Sequence, residues 1–168
     1  GKSTLARYLV QRLRRDGRRC AYLDGDPGQS RLGPPATITL SVGESAEFPP
    51  GGPSWQRFIG SVSPQGHMLP LGVGAMRLAQ AAWEHGVDSI VYDTSGLVDP
   101  AQGGPPLKLA KIELLQPVAV LAIQRGSELE SLLQPLRRSR LTQVIDLRPV
   151  AAVQPRDRLA RQHRDEDE

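Results

Sequence analysis

The residues best suited to chemistry stand at the start of the chain, where Gly1-Lys2-Ser3 matches the last three positions of the phosphate-binding pattern G-x-x-x-x-G-K-[ST]. In such a loop backbone N–H groups surround the phosphates of a nucleotide, the lysine reaches the β- and γ-phosphates, and the hydroxyl holds Mg²⁺. Further polar clusters follow apolar runs. "YLDGDPGQS" brings Asp24, Asp26 and Gln29; "GSVSPQGH" brings Ser61 and Ser63; "VYDTSGLV" brings Asp93, Thr94 and Gly96; "AIQRGSE" is less telling. An apolar run ending in Asp93 is the pattern of the acidic strand that orients Mg²⁺ or its water in P-loop proteins. Asp26 closes the strand after the Lys2 helix, where it can serve as a second Mg²⁺ contact or as a base. Each cluster has a plainer reading: Asp-Pro-Gly and Ser63-Pro64 are ordinary turn chemistry, and Asp24 can cap its own loop. Two acidic strand ends beside a GKS loop favour a Mg–NTP site over two coincidences.

These groups need strands and helices to hold them. From Ser3 to Asp16 the chain reads as helix, with Leu5, Leu9 and Leu13 on one face and Gly17 where a C′ glycine belongs. Strands are expected near 20–24, 57–60, 89–93, 118–123 and 143–147. Helices are expected in "GAMRLAQAAWEHG", with Met76, Ala79 and Trp83 on one face and Gly86 as the stop, in "PLKLAKIELLQP" and in "SELESLLQPL". Apolar strands alternating with helices predict an α/β fold of the P-loop NTPase class, a mostly parallel sheet with helices on both faces. Ligands of such sheets bind beyond the carboxyl ends of the strands. Residues 42–56 are rich in Gly and Pro and read as an irregular insertion near the site. The strand that should precede Gly1, the first half of the loop and an initiator Met are not in the sequence, so a fragment of a longer chain is expected, lacking the first strand and most of the phosphate-binding loop. Residues 1–150 are expected to form the P-loop domain, and 151–168 an incomplete Arg-rich lid or tail.

In their order, "GKST", "YLDGDPGQSRLGPPATITLS", "FIGSVSPQGH", "IVYDTSGLV" and "LKLAKIELLQP" resemble the polynucleotide 5′-hydroxyl kinases, the P-loop kinases of cleavage-factor and pre-ribosomal-RNA processing and their prokaryotic relatives. The resemblance covers nearly the whole chain; "DPGQ" is its most specific piece and the GKS tail its least. It implies transfer of the γ-phosphate of ATP or GTP to the 5′-hydroxyl of a nucleic acid, RNA ahead of DNA, with Mg²⁺. It further implies that Lys2, Ser3 and Thr4 hold phosphates and Mg²⁺, that Asp26 positions or deprotonates the hydroxyl with Gln29 beside it, that Ser63 lies close to metal and phosphate, and that Thr94 and Gly96 grip the acceptor nucleotide. Two features depart from the pattern or strain it. Leu97 stands where the eukaryotic members carry Trp, and Trp55 is either a substitute or a local anchor. The R-x-x-x-x-R spacing of the family's lid is met by Arg156 and Arg161, with Arg164 as a rival, but an Arg-rich tail is ordinarily solvated.

Composition narrows the classes. The 168 residues allow one domain with a real core, and no run is apolar for long enough to span a membrane. A single cysteine, Cys20, argues against a disulfide framework; the expected setting is the cytoplasm. Of 21 basic residues three are lysine and so 18 are arginine, for a net charge of +3. Arg12 to Arg19 read as a solvated helix end, and Arg137 to Arg140 compete for a nucleic-acid contact. Lys108 and Lys111, one helical turn apart, read as a solvated face ahead of a phosphate contact. His67, His85 and His163 make no metal-ligand spacing with Cys20. Two other classes remain open. A GTPase-like switch should carry a base-reading N/T-K-x-D after a late strand, and "AIQRGSE" lacks it. A silent NTP-binding scaffold of an RNA-processing assembly is opposed by the intact Lys2, Ser3, Asp26 and Asp93, while Leu97 leaves it room. Oligomeric state is not written in the sequence.

Overall fold

The computed structural model describes residues 1–43 and 51–150. Helix α1, Lys2–Arg15, ends in a Schellman pair, Arg18 N–H to Leu13 C=O at 2.9 Å and Gly17 N–H to Arg14 C=O at 3.0 Å, with Gly17 at φ 79° as expected. Its buried stripe is Ala6 and Val10, with Leu13 packed alongside, rather than Leu5–Leu9–Leu13. The helix lies on strands β1, Cys20–Gly25, and β4, Ser89–Thr94, and the small Ala6 is what this close approach admits. Arg14 donates twice to the Cys20 carbonyl, at 3.0 and 2.8 Å, which ties the helix end to the start of β1, so this part of the basic cluster is structural.

Two of the four strand pairings among the described residues are parallel, β1 with β4 and β5, Ala119–Ile123, with β6, Gln143–Leu147. The other two are antiparallel. Strand β2, Thr37–Ser41, pairs with β1 on one side and with β3, Ser54–Phe58, on the other, giving the order β3-β2-β1-β4. The α/β P-loop class stands, with an antiparallel arm added on the β1 side. Residues 26–36 connect β1 to β2 without a crossover helix, so the chain can only turn back. Strand β2 is buried at every residue, being paired on both edges, whereas β3 is the exposed edge. Strand β3 begins within the stretch read as irregular and ends two residues before the expected strand does; residues 44–50 of that stretch lie outside the described residues.

On the opposite face from α1, α2, Met68–Glu84, buries Leu71, Ala75, Leu78 and Ala82 against Ala21, Leu23, Ile38 and Leu40. Trp83, expected on that face, is 53% exposed, because the buried stripe runs through the small residues one position away. Helix α2 ends at a second Schellman pair around Gly86. Helix α3, Gly104–Leu115, packs on α2 and stops at Gln116, as Pro117 requires. A short helix α4, Glu130–Leu136, precedes β6, and Arg137 at its end grips Asp146 at 2.7 and 2.9 Å and Glu130 at 2.9 Å. Arg137 is thereby committed to the β6 side. Among the described residues no helix is long and apolar enough to cross a membrane.

Candidate active site

Parallel pairing of β1 with β4 sets Asp24 beside Asp93 and Gly25 beside Thr94, so both acidic strands end at one level. Of the two aspartates in "DGD", Asp24 lies within the paired strand and Asp26 just beyond it. Asp24 is buried within the strand and accepts from Arg31 N–H at 2.8 Å, Ser30 Oγ at 3.3 Å and Asp26 N–H at 3.5 Å. It holds the 26–31 loop, as its plainer reading had it. Burial pushes its carboxyl above the usual range, with the N–H groups of Arg31 and Asp26 pulling the other way. Asp26 lies past the strand end, half-buried, its Oδ1 accepting from Gly28 N–H at 3.2 Å. Asp93 is buried and accepts from the Tyr22 hydroxyl at 3.1 Å, which fixes the orientation of its carboxylate. Burial and the Asp93 charge push the Tyr22 hydroxyl far above its ordinary value, so it stays a donor.

The loops gather around these ends through glycines. A Cβ on Gly28 would stand 2.5 Å from the Val62 carbonyl, so the "DPGQ" loop and the "GSVSPQG" turn touch. A Cβ on Gly96 would stand 3.4 Å from Lys2 Nζ, so the lysine of the phosphate loop reaches the turn after β4. Lys2, Gln29 and Ser63 are exposed, Ser3 and Thr94 half-buried. Ser63 Oγ accepts from Gln65 N–H at 3.3 Å, ordinary turn bonding, and its neighbour Val62 carries the contact with Gly28. Gly1, Thr4 and Gly96 are exposed at the same end of the sheet as Lys2. Leu97 is half-buried and packs on the core instead of presenting a stacking surface. Trp55 is a local anchor, paired with Leu40 across the strands and set 4.3 Å, centroid to centroid, from the His85 ring at the far end of α2. Arg156, Arg161, Arg164 and His163 lie outside the described residues.

Lys108 and Lys111 depart furthest from expectation: they are not a solvated face. Lys108 Nζ donates to the Ser95 carbonyl at 2.9 Å and to Thr94 Oγ1 at 3.3 Å. Burial and, next, the charge of Lys2 push its ammonium down to about 8, while Asp26 and Asp93 act the other way. Lys111 is 3% exposed, has no hydrogen-bond partner among the described residues, and stands 5.2 Å over the Tyr92 ring. Burial and then Lys108 push it down to about 7. The signal that could have found them is their rarity, since these two and Lys2 are the only lysines in an arginine-rich chain.

The side chains the sequence suggested for a metal offer oxygen atoms only: the Ser3 hydroxyl and the carboxylates of Asp26 and Asp93. No group of three or more His, Cys, Asp or Glu suited to a metal occurs among the described residues. An oxygen-only set with two carboxylates fits Mg²⁺, which takes one or two carboxylates and completes its shell with phosphate and water. Gln124, in the loop where a switch would read its base, spends its amide on Glu130 at 2.8 Å and Asp146 at 3.2 Å. An open groove lined by Arg137, Ser139, Arg140, Thr142, Gln143 and Val144 shares no residue with this cluster.

Comparison with known proteins matches residues 1–168 to the family described as mRNA cleavage and polyadenylation factor CLP1 P-loop. The chain is similar to a polyribonucleotide 5′-hydroxyl-kinase of Methanocaldococcus jannaschii, 35% identical over 137 residues, 80% of this chain and 37% of the relative. It is equally similar to a polyribonucleotide 5′-hydroxyl-kinase of Pyrococcus abyssi, 35% identical over 136 residues, 80% of this chain and 38% of the relative. A third, of Pyrococcus horikoshii, is 32% identical over 136 residues, 80% of this chain and 37% of the relative. The chain thus spans well under half the length of the curated relatives it matches.

Proposed function

From the premise that this chain belongs to the CLP1 P-loop family, we propose that the protein it forms part of transfers the γ-phosphate of ATP or GTP to the 5′-hydroxyl of a polynucleotide, RNA ahead of DNA, in the cytoplasm. The observation that carries this reading is the meeting of Lys2 with the ends of β1 and β4, where Asp26, Asp93 and the Thr94–Gly96 turn stand together. The relatives named above bear that activity in their names.

Gly1, Lys2, Ser3 and Thr4 hold the phosphates from the start of α1, whose N-terminus favours an anion. Ser3, Asp26 and Asp93 hold Mg²⁺, which when bound neutralises charge on the phosphates. Asp26, the least buried of the three aspartates, takes the proton of the 5′-hydroxyl, with Gln29 beside it. Ser63, Thr94 and Gly96 border the acceptor. Arg156 and Arg161 belong to residues 151–168, the lid segment of this reading, where a guanidinium fork would grip the transferring phosphoryl group; residues 1–150 form the kinase domain. A switch is disfavoured because Gln124 is already engaged, and a silent scaffold because Lys2, Ser3, Asp26 and Asp93 are all in place.

The test is transfer of labelled γ-phosphate to a 5′-hydroxyl oligonucleotide by the full-length protein. Transfer by wild type and its loss in Lys2→Ala are expected, since no other lysine of this sequence sits at the phosphate loop. No transfer by the wild type to either RNA or DNA refutes the reading.

A further inference from the structure

The chain places 18 arginines and only three lysines, and the three lysines meet at one end of β4. Arginine is the better surface cation and the better fork; lysine supplies a compact point charge with three donors. Lys2 comes from α1, on the sheet face that buries Ala6, Val10 and Tyr22. Lys108 and Lys111 come from α3, on the opposite face, where Tyr92 packs. The two sets therefore flank the Thr94–Gly96 turn, Lys2 at Gly96 and Lys108 at Thr94 and Ser95.

We infer that Lys108, standing above the buried Lys111, forms a second anion subsite that takes the first internucleotide phosphodiester of the acceptor strand, an inference that rests on the kinase reading above. Lys108 spends two of its three donors on Thr94 Oγ1 and the Ser95 carbonyl, and this partly buried residue keeps one for a ligand. Lys111 has no hydrogen-bond acceptor among the described residues; only the face of Tyr92 and the charge of Asp26 favour its ammonium, and burial and Lys108 outweigh them. A buried ammonium without a partner is costly, and an anion held at Lys108 offsets that cost. The acceptor strand is the source of that anion because Lys108 is fixed to the turn assigned to acceptor binding, while the nucleotide phosphates already have Lys2 on the other face. One negative charge, as a phosphodiester carries, suits one free donor backed by a second cation.

The experiment compares two 5′-hydroxyl oligonucleotides, one ordinary and one with an uncharged methylphosphonate at the first linkage, using the full-length protein as wild type, Lys108→Met and Lys108→Arg. Binding is read by fluorescence anisotropy and transfer by steady-state kinetics. In wild type the methylphosphonate is expected to weaken binding and raise the acceptor KM by about tenfold or more, the effect of one charge-assisted hydrogen bond. In Lys108→Met the ordinary acceptor is weakened similarly and the methylphosphonate adds nothing; Lys108→Arg recovers part of the loss; the KM for nucleotide stays put. Equal binding of the two oligonucleotides by wild type overturns the subsite without recourse to any variant. An undiminished methylphosphonate penalty in Lys108→Met overturns it too, as does a loss confined to nucleotide KM or to kcat; these assign Lys108 to the NTP phosphates or to holding the turn. Failure of wild type to transfer phosphate while the anisotropy difference persists refutes the kinase reading and leaves the anion subsite standing.

Discussion

Asp24 and Asp26 are two positions apart, and their surroundings give them different work. Asp24 sits inside β1 opposite Asp93 and spends its oxygens on the loop that follows. Asp26 stands beyond the pairing, with one bond to Gly28 and the rest of its carboxylate available. Asp26→Asn keeps the size and removes charge and basicity, so turnover of the full-length protein should fall about 10²- to 10⁴-fold while nucleotide affinity changes little. Asp24→Ala should act on stability instead. It strands the N–H of Arg31 and the hydroxyl of Ser30, and thermal unfolding should show a loss of about 1–3 kcal/mol. Turnover that survives Asp26→Asn while affinity collapses would confine Asp26 to its metal contact or to a structural role and move the base to Asp24 or Asp93. The capping of its own loop by Asp24 was legible in the sequence as the plainer of two readings; that Asp24 also sits level with Asp93 was not, because the register of β1 against β4 is a property of the sheet.

At the scale of elements, the helix ends were legible because a left-handed residue is needed there and Gly17 and Gly86 provide it. The strands β1, β4, β5 and β6 were legible as apolar runs between helices. Strand β2 was not. "TITLS" alternates polar and apolar, as a half-exposed strand would, yet β1 and β3 enclose it and Thr39 Oγ1 is buried without a hydrogen-bond partner among the described residues. The faces of α1 and α2 shifted from expectation because small residues, not large ones, mark where a helix meets a sheet closely. Gly25 shows the same constraint at the end of β1. A Cβ there would lie 1.9 Å from Tyr92 Cε2, an overlap that only movement of the ring or the strand relieves. Gly25→Ala should therefore destabilise the protein by about 1–3 kcal/mol in denaturant unfolding. The double variant Gly25→Ala/Tyr92→Leu should recover part of that loss, and failure to recover any would place the strain in the backbone.

For the whole molecule, the lysines were the least legible feature and carry the clearest thermodynamic signature. Two cations one helical turn apart default to solvent, and only the packing of α3 over Tyr92 reverses this. Lys111 is the buried polar group whose charge opposes folding most directly, since its ammonium is pushed down to about 7 from an ordinary 10.5, first by burial and then by Lys108. The sign follows from proton uptake. Between about 7 and 10.5 the unfolded chain holds a proton at this site that the folded chain has released, so stability contributed by this site rises with pH across that window. Below about 7 both states are protonated and the full penalty of a buried charge is present. Lys111→Met keeps the length and apolar stem without the charge. It should raise stability by about 1–3 kcal/mol at pH 6, and its advantage over wild type should shrink steadily toward pH 10. Lys108 is pushed down to about 8 and titrates partly within the same window, and because its charge acts on Lys111 the same comparison is repeated in a Lys108→Met background to isolate Lys111. Denaturant unfolding of the two proteins at intervals from pH 6 to 10 measures that difference directly. A constant gap would mean that Lys111 is neutral throughout and that the variant gains only by packing. A gap that widens with pH would reverse the assignment and require an anion beside Lys111 in the folded protein.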